Sequence, residues 1–529
     1  MTASTIGTAP LLRASLHHEG RTFAPWIVLP TALAVSSVIA YPLLFPDAAE
    51  RAAFATTIGS NPALGLIFGP AYDLATVDGF VAWRSLALGG FIAALGAIFI
   101  VVKAARGQED SGQAELLAAG VLGRAARLST ALIMAGVCSI AIGILAGLAT
   151  SLCGGAWGSS FLLGAGFTVT GWMFGAIAAV SAQVGSDARA ATTIAVSLLG
   201  VLFVLRGFLF SVDAPMWTTW VNPLGWVQET RPATGDHWWP LLIGVAFAVV
   251  VGAAAFALQR ARDFGQGLIP ARPGPARGRI GSPLALAIRL NRAPIVAWTV
   301  AFVGLGVIFG YFTRSVRGLL TANPAMAQIF ASGAASPADL VSAFVTTILG
   351  LVGIIASVAG VQIVNRIRTE ELDDRAEAVL ATGVSRPRYF GAVTGVALVV
   401  PDALVTVAGL VVGVFAGTAD LGLGFGDVFL QSIATIPAVW AVVGIAVAVI
   451  GARPRVRPAI WLGVLVSFVL TILGPSFKLP DWALGFSPFH HVPDVSAAQP
   501  DWWGLVWVGV VVVLLVALGF AGFRRRDIP

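Results

Sequence analysis

Charge is scarce in this chain. Asp, Glu, Lys and Arg together make up 11% of 529 residues, against 57% hydrophobic, which excludes a soluble globular surface at this size. There are two lysines, Lys103 and Lys478, and neither closes a GxxxxGK[ST] loop, so the chain cannot hydrolyse ATP through a phosphate loop. HExxH, CxxC and nucleophile-elbow patterns are also missing. The two cysteines, Cys138 and Cys153, fall in or at the end of one apolar segment, where they act as small hydrophobes and define neither a disulfide nor a metal site. Residues 1–20 lack the apolar core of a cleavable signal peptide, so the first membrane helix is expected to direct insertion. The net charge of +6 does not indicate nucleic acid, because the arginines sit in short loops between apolar runs.

What the chain has is long apolar runs. With about 20 residues needed to cross a bilayer core of about 30 Å, segments are expected near 24–45, 84–105, 127–150, 157–184, 192–212 and 239–259. A second set follows near 293–313, 340–364, 389–417, 427–451, 458–474 and 502–523. The expected fold is an all-α polytopic membrane protein of about 12 transmembrane helices. Placing both termini in the cytoplasm puts Arg13, Arg21, Lys103, Arg106, Arg124, Arg127, Arg189, Arg260, Arg262, Arg453, Arg455, Arg457 and Arg524 to Arg526 on one face, as the excess of basic residues in cytoplasmic loops requires.

The most charged stretch, Arg366 to Arg388 (RIRTEELDDRAEAVLATGVSRPR), has a near copy 262 positions earlier, Arg106 to Arg124 (RGQEDSGQAELLAAGVLGR). Glu109 matches Glu371, Ala114 and Glu115 match Ala376 and Glu377, and Arg124 matches Arg386. In the second copy Leu372, Ala376, Val379, Leu380 and Gly383 recur at helical spacing, which predicts a short helix with a small apolar stripe. Its acidic residues come first and its arginines last, the order a helix dipole favours. The repeat extends outward: Asn61-Pro62 matches Asn323-Pro324, and Trp238-Trp239 with Arg260 and Arg262 matches Trp502-Trp503 with Arg524 and Arg526. The tryptophan and arginine pairs read as membrane-interface anchors. The chain is therefore expected to hold two parallel six-helix pseudo-repeats: 1–264 with a charged helix near 107–123, a Pro/Gly/Arg linker with an amphipathic segment at 265–290, and 291–529 with a charged helix near 368–386. Acidic helices suit anionic lipid poorly, so docking onto a soluble protein explains them better.

The segments EDSGQAELLAAGV (Glu109 to Val121) and EELDDRAEAVLATGV (Glu371 to Val384) are similar to the coupling helices of ABC-2 (type V) export permeases. Within that class the chain resembles the fused two-repeat actinobacterial branch of polyketide-antibiotic and multidrug efflux permeases. The resemblance implies a bacterial plasma-membrane exporter of amphiphilic drugs or natural products, working by alternating access. It also implies two copies of a separately encoded ATPase carrying ATP and Mg, with no cofactor or catalytic residue in this chain. The coupling residues it points to are Glu109, Ala114, Glu115, Leu116, Leu117, Glu371, Leu372, Ala376, Glu377, Val379 and Leu380. Ser111-Gly112 stands where the second copy has Asp373-Asp374, a departure that bears on whether both copies grip the ATPase alike.

Within the spans, Asp402 is the clearest acid and Arg206 the clearest base, and such residues mark function or a structural polar contact. Phe167, Trp172, Phe174, Phe203 and Trp440 are candidates for a hydrophobic substrate path, against the alternative of helix packing. His490-His491 with Asp494, and His237 with Asp236, could bind a metal or sense pH, but they read better as ordinary interfacial polar residues, since adjacent histidines point different ways and no helical HxxxH spacing supports a site. Two other classes stay open: a proton-coupled secondary exporter of the major facilitator type, which also has two six-span halves, and a lipid-linked polytopic enzyme. Scarce intramembrane charge weighs against the first, and the lack of a catalytic acidic pair against the second.

Overall fold

In a membrane interior the backbone has no water to bond, so an apolar chain crosses it as helices or as a closed barrel. The computed structural model is helical, with no strand among the described residues. It describes residues 5–59, 62–110, 112, 122–211, 214–262, 266–269, 281–322, 337–418, 423–473, 479–497 and 499–528. The chain divides into two compact units, Met1–Gly274 and Pro275–Pro529.

The long helices of the first unit are α1 (Ala24–Leu44), α2 (Val77–Val102), α3 (Ala126–Leu152), α4 (Trp157–Val184), α5 (Ala188–Ser211) and α6 (Trp239–Ala261). Those of the second are α7 (Pro283–Ala322), α8 (Pro337–Leu372), α9 (Arg386–Gly417), α10 (Phe425–Ala452), α11 (Pro458–Phe468) and α12 (Trp503–Arg525). Among the described residues, eleven helices are long and apolar enough to cross a membrane. The exception is α11, a shorter apolar helix that ends in a π-turn over Val469–Leu473.

In the first unit α4 packs against α2, α3 and α6, and in the second α10 packs against α8, α9 and α12. Each is the inner helix of its bundle, and small residues let it approach its neighbours. A Cβ on Gly143 would lie 2.6 Å from the Gly164 carbonyl, and one on Gly164 would lie 2.2 Å from the Gly143 carbonyl. Larger side chains would force α3 and α4 apart, which is why helices in lipid favour glycine at such crossings. In the second unit Gly409 meets Ser432 at the matching place on α9 and α10.

The charged segment of the second unit departs from the expected free-standing helix. α8 continues without a break through Arg366, Arg368 and Glu370 to Leu372. A turn follows, with Asp374 in the left-handed region at φ 56°, then a short helix Arg375–Leu380. Gly383, at φ 85°, supplies the second reversal before α9. Glu370 and Glu371 therefore end a helix rather than begin one. The unfavourable dipole there is offset by ion pairs one turn back, Arg366–Glu370 at 3.2 Å and Arg368–Glu371 at 3.1 Å. In the first unit α2 passes through a π-turn at Lys103–Gly107 into one helical turn, Gln108–Asp110. Ala114, Glu115, Leu116 and Leu117 lie outside the described residues.

Candidate functional site

The charged end of each unit is built around one inward-turned glutamate. In the first unit Glu109 is contacted by Arg106 at 2.7 Å, Arg127 at 2.6 Å and Arg262 at 2.8 Å. Arg262, just past the end of α6, also donates from Nε to Gln183 Oε1 (2.6 Å) and from Nη1 to the Gln266 carbonyl (2.7 Å). Arg106 donates to the carbonyls of Ser186 and Gln266. The cluster thus ties together the ends of α2, α3, α4 and α6.

The second unit repeats the plan. Glu371 pairs with Arg368 and with Arg526, which lies just past the end of α12. Arg526 donates from Nε to the Gly451 carbonyl at 3.0 Å. The flanking arginines correspond too: Arg124 donates to the Arg262 carbonyl at 3.5 Å, and Arg386 to the Arg526 carbonyl at 2.8 Å. The Glu109 side chain is 3% exposed and that of Glu371 is fully buried. Buried charges are tolerated when paired and hydrogen-bonded, as here, and removing one partner strands the other.

These positions correct two sequence expectations. Glu109 and Glu371 are not on a docking face; each fastens its charged segment to the last helix of its own unit. Arg262 and Arg526 are not headgroup anchors, since both turn inward onto those glutamates. An R-x-x-E spacing at Arg106/Glu109 and Arg368/Glu371, with a matching arginine after the last span of each half, was the available signal. It pointed to a repeated internal contact as well as to a repeated surface.

The predicted apolar stripe is divided. Ala376 is buried, and Val379 and Leu380 pack against the core of the second unit. Leu372 faces outward at 57% exposure, beside exposed Asp373, Asp374 and Glu377. Leu372, these carboxylates and exposed Arg375, which pairs with Asp373 and Glu370, are part of the surface this segment offers.

Arg206 does not reach outward as a basic residue near a span end could. It is buried on α5, donating from Nη1 to Gln228 Oε1 (3.0 Å) and from Nη2 to the Ile67 carbonyl (2.8 Å). Its guanidinium lies 4.8 Å from the Phe203 ring centre, Nε has no hydrogen-bond partner, and no carboxylate pairs with it among the described residues. Asp402 is half-buried on α9 and accepts from Trp440 Nε1 at 3.0 Å, leaving Oδ1 buried without a partner. Phe167 and Phe174 have no accessible surface and are core packing in the first unit: a Cβ on Gly89 would meet the Phe167 ring at 2.4 Å. Trp172 borders an apolar groove and donates to the Gly136 carbonyl at 3.4 Å. Among the described residues no cluster of His, Cys, Asp and Glu could hold a metal.

A family model matches the chain in two stretches. The family described as "Multidrug efflux system permease Rv1217c, C-terminal domain" matches residues 47–260 and again 280–524, one stretch in each unit. The full chain is 33% identical over 533 residues to the multidrug efflux system permease protein Rv1217c of Mycobacterium tuberculosis (strain ATCC 25618 / H37Rv), covering 99% of this chain and 95% of that one. The chain belongs to this family of multidrug efflux permeases. Its membership agrees with the resemblance carried by the repeated acidic segments, and with a multi-pass membrane protein that has eleven long apolar helices among its described residues.

Proposed function

We propose that the chain is the membrane subunit of an ATP-binding-cassette exporter, moving amphiphilic drugs or natural products out of the cell while partner ATPases bind and hydrolyse ATP with Mg. The observation that carries this reading is the duplicated Glu–Arg cluster. It fastens each charged segment to the end of its unit's last long helix, through Arg262 in one and Arg526 in the other, with Arg127 of α3 also reaching Glu109, while Arg106 and Arg368 pair with the glutamates from within the segments. A force applied to such a segment moves membrane helices instead of bending a loop, which is what coupling by alternating access needs. Leu372, Asp373, Asp374 and Glu377 form the face offered to an ATPase in the second unit. The segment containing Ala114, Glu115, Leu116 and Leu117 would serve the first.

One chain with two such segments would engage two ATPase subunits. The arginines and Lys103 at the charged end support a cytoplasmic location for that end and for both termini, in a bacterial plasma membrane. The test is capture of the ATPase expressed with this chain. Wild type should retain it through purification, and Leu372→Asp should lose it while remaining folded. Equal retention by Leu372→Asp would remove this face from the coupling surface.

A further inference from the structure

An apolar groove of about 510 Å³ opens in the first unit between α3, α4 and α6, lined by Gly136, Trp172, Gly175, Val249, Gly252 and Phe256 among others. It exists because two of these walls lack side chains. A Cβ on Gly252 would meet nothing within 4 Å, and one on Gly136 would meet only Trp172 Nε1 at 3.8 Å. The second unit differs at the corresponding positions. By position within helices of equal length, Trp440 on α10 corresponds to Trp172, and Val516 on α12 to Gly252. Trp440 and Val516 pack together there against Ala441, Val508 and Val512. Where the second unit has a valine, the first has an opening.

The groove lies midway along helices long and apolar enough to span a membrane, and its lining is mostly apolar, so an apolar chain is a better filler than water. Its α6 wall runs from Val245 to Phe256, about 16 Å at the helical rise, close to the depth of one leaflet. One turn beyond Phe256, on the same helix face, stands Arg260, exposed and with no acidic partner among the described residues. The Arg124 backbone is near it, its carbonyl accepting from Gln259 Nε2 at 2.9 Å, while the Arg124 guanidinium donates to the Arg262 carbonyl at 3.5 Å. An apolar slot as long as one leaflet is deep, with an exposed cation one turn beyond its end, matches an anionic lipid. We propose that this groove holds an acyl chain of an anionic membrane phospholipid, with its headgroup paired to Arg260.

The experiment is native mass spectrometry of the full chain loaded with phosphatidylglycerol or with phosphatidylcholine of identical acyl chains. Wild type should retain one phosphatidylglycerol in preference to phosphatidylcholine. Gly252→Leu, which fills the groove, should abolish that retention, and Arg260→Gln should weaken it about fivefold. Gly252→Val reproduces the second unit's residue and should bind poorly while melting with wild type, which separates lost binding from misfolding. Retention unchanged in Gly252→Leu would overturn the proposal. So would equal retention of the two lipids by wild type, because Arg260 would then recognise no headgroup.

Discussion

Glu109 Oε1 lies 2.8 Å from Arg262 Nη2 across 153 positions of sequence, and this contact closes the first unit's bundle on itself. The same closure joins Glu371 to Arg526 in the second unit. The clusters differ in redundancy. Glu109 has three arginines, whereas the position of Arg127 in the first unit has no arginine counterpart around Glu371, which has two.

That difference sets an order of sensitivity. Removing one partner of a buried ion pair costs about 3–5 kcal/mol when the remaining charge has no substitute. Arg526→Ala leaves buried Glu371 with Arg368 alone, so it should approach this range. Arg262→Ala leaves Glu109 with Arg106 and Arg127, so it should cost less. Apparent melting temperatures in detergent should therefore fall further for Arg526→Ala. The reverse order would contradict the assignment.

Two leucines eight positions apart should behave oppositely. Leu380 packs against the core of the second unit, so Leu380→Asp places a charge against an apolar surface and should lower stability by about 1–3 kcal/mol. Leu372 is exposed, so Leu372→Asp should leave the melting temperature unchanged and act only on partner binding. Equal destabilisation by both would show that Leu372 also packs inward.

The sequence made the spans legible because twenty-residue apolar runs have few other structural uses. The segment 157–184 was delimited to the residue, since Gly154-Gly155 before it and Gly185 after it punctuate the pattern. The charged segments were legible as repeats but not in their direction of facing. Helical spacing groups Leu372 with Ala376 and Leu380, but the turn at Asp373-Asp374 rotates the later residues away from Leu372. Charge order suggested a helix beginning at Glu370, and the local Arg366 and Arg368 pairs outweighed that preference. Nothing local to Arg262 or Arg526 distinguishes an inward arginine from an anchor; the partner glutamate is more than 150 positions away.

A native cysteine reports the orientation. Cys153 is exposed at the end of α3 opposite the charged segment, and Cys138 is buried. With both termini in the cytoplasm, a membrane-impermeant maleimide should label Cys153 in intact cells, and Cys153→Ser should abolish the labelling. Labelling only after permeabilisation would reverse the topology.

Arg206 should prove dispensable for stability. In Arg206→Met the Gln228 and Ile67 acceptors each lose a donor, a cost of about 1–3 kcal/mol per stranded group. The same change removes a buried charge that no carboxylate pairs with among the described residues, which offsets most of that loss. The melting temperature should move little while export falls. A large drop in melting temperature would instead make Arg206 a structural residue.

The central claim concerns the source of energy. Reconstituted with its ATPase, the chain should export substrate only with hydrolysable ATP, should continue when the proton gradient is collapsed, and should stop when the ATPase's catalytic residues are disabled. Asp402→Asn should leave that requirement unchanged. Transport by this chain alone, driven by a proton gradient and lost in Asp402→Asn, would contradict the account and establish a proton-coupled exporter.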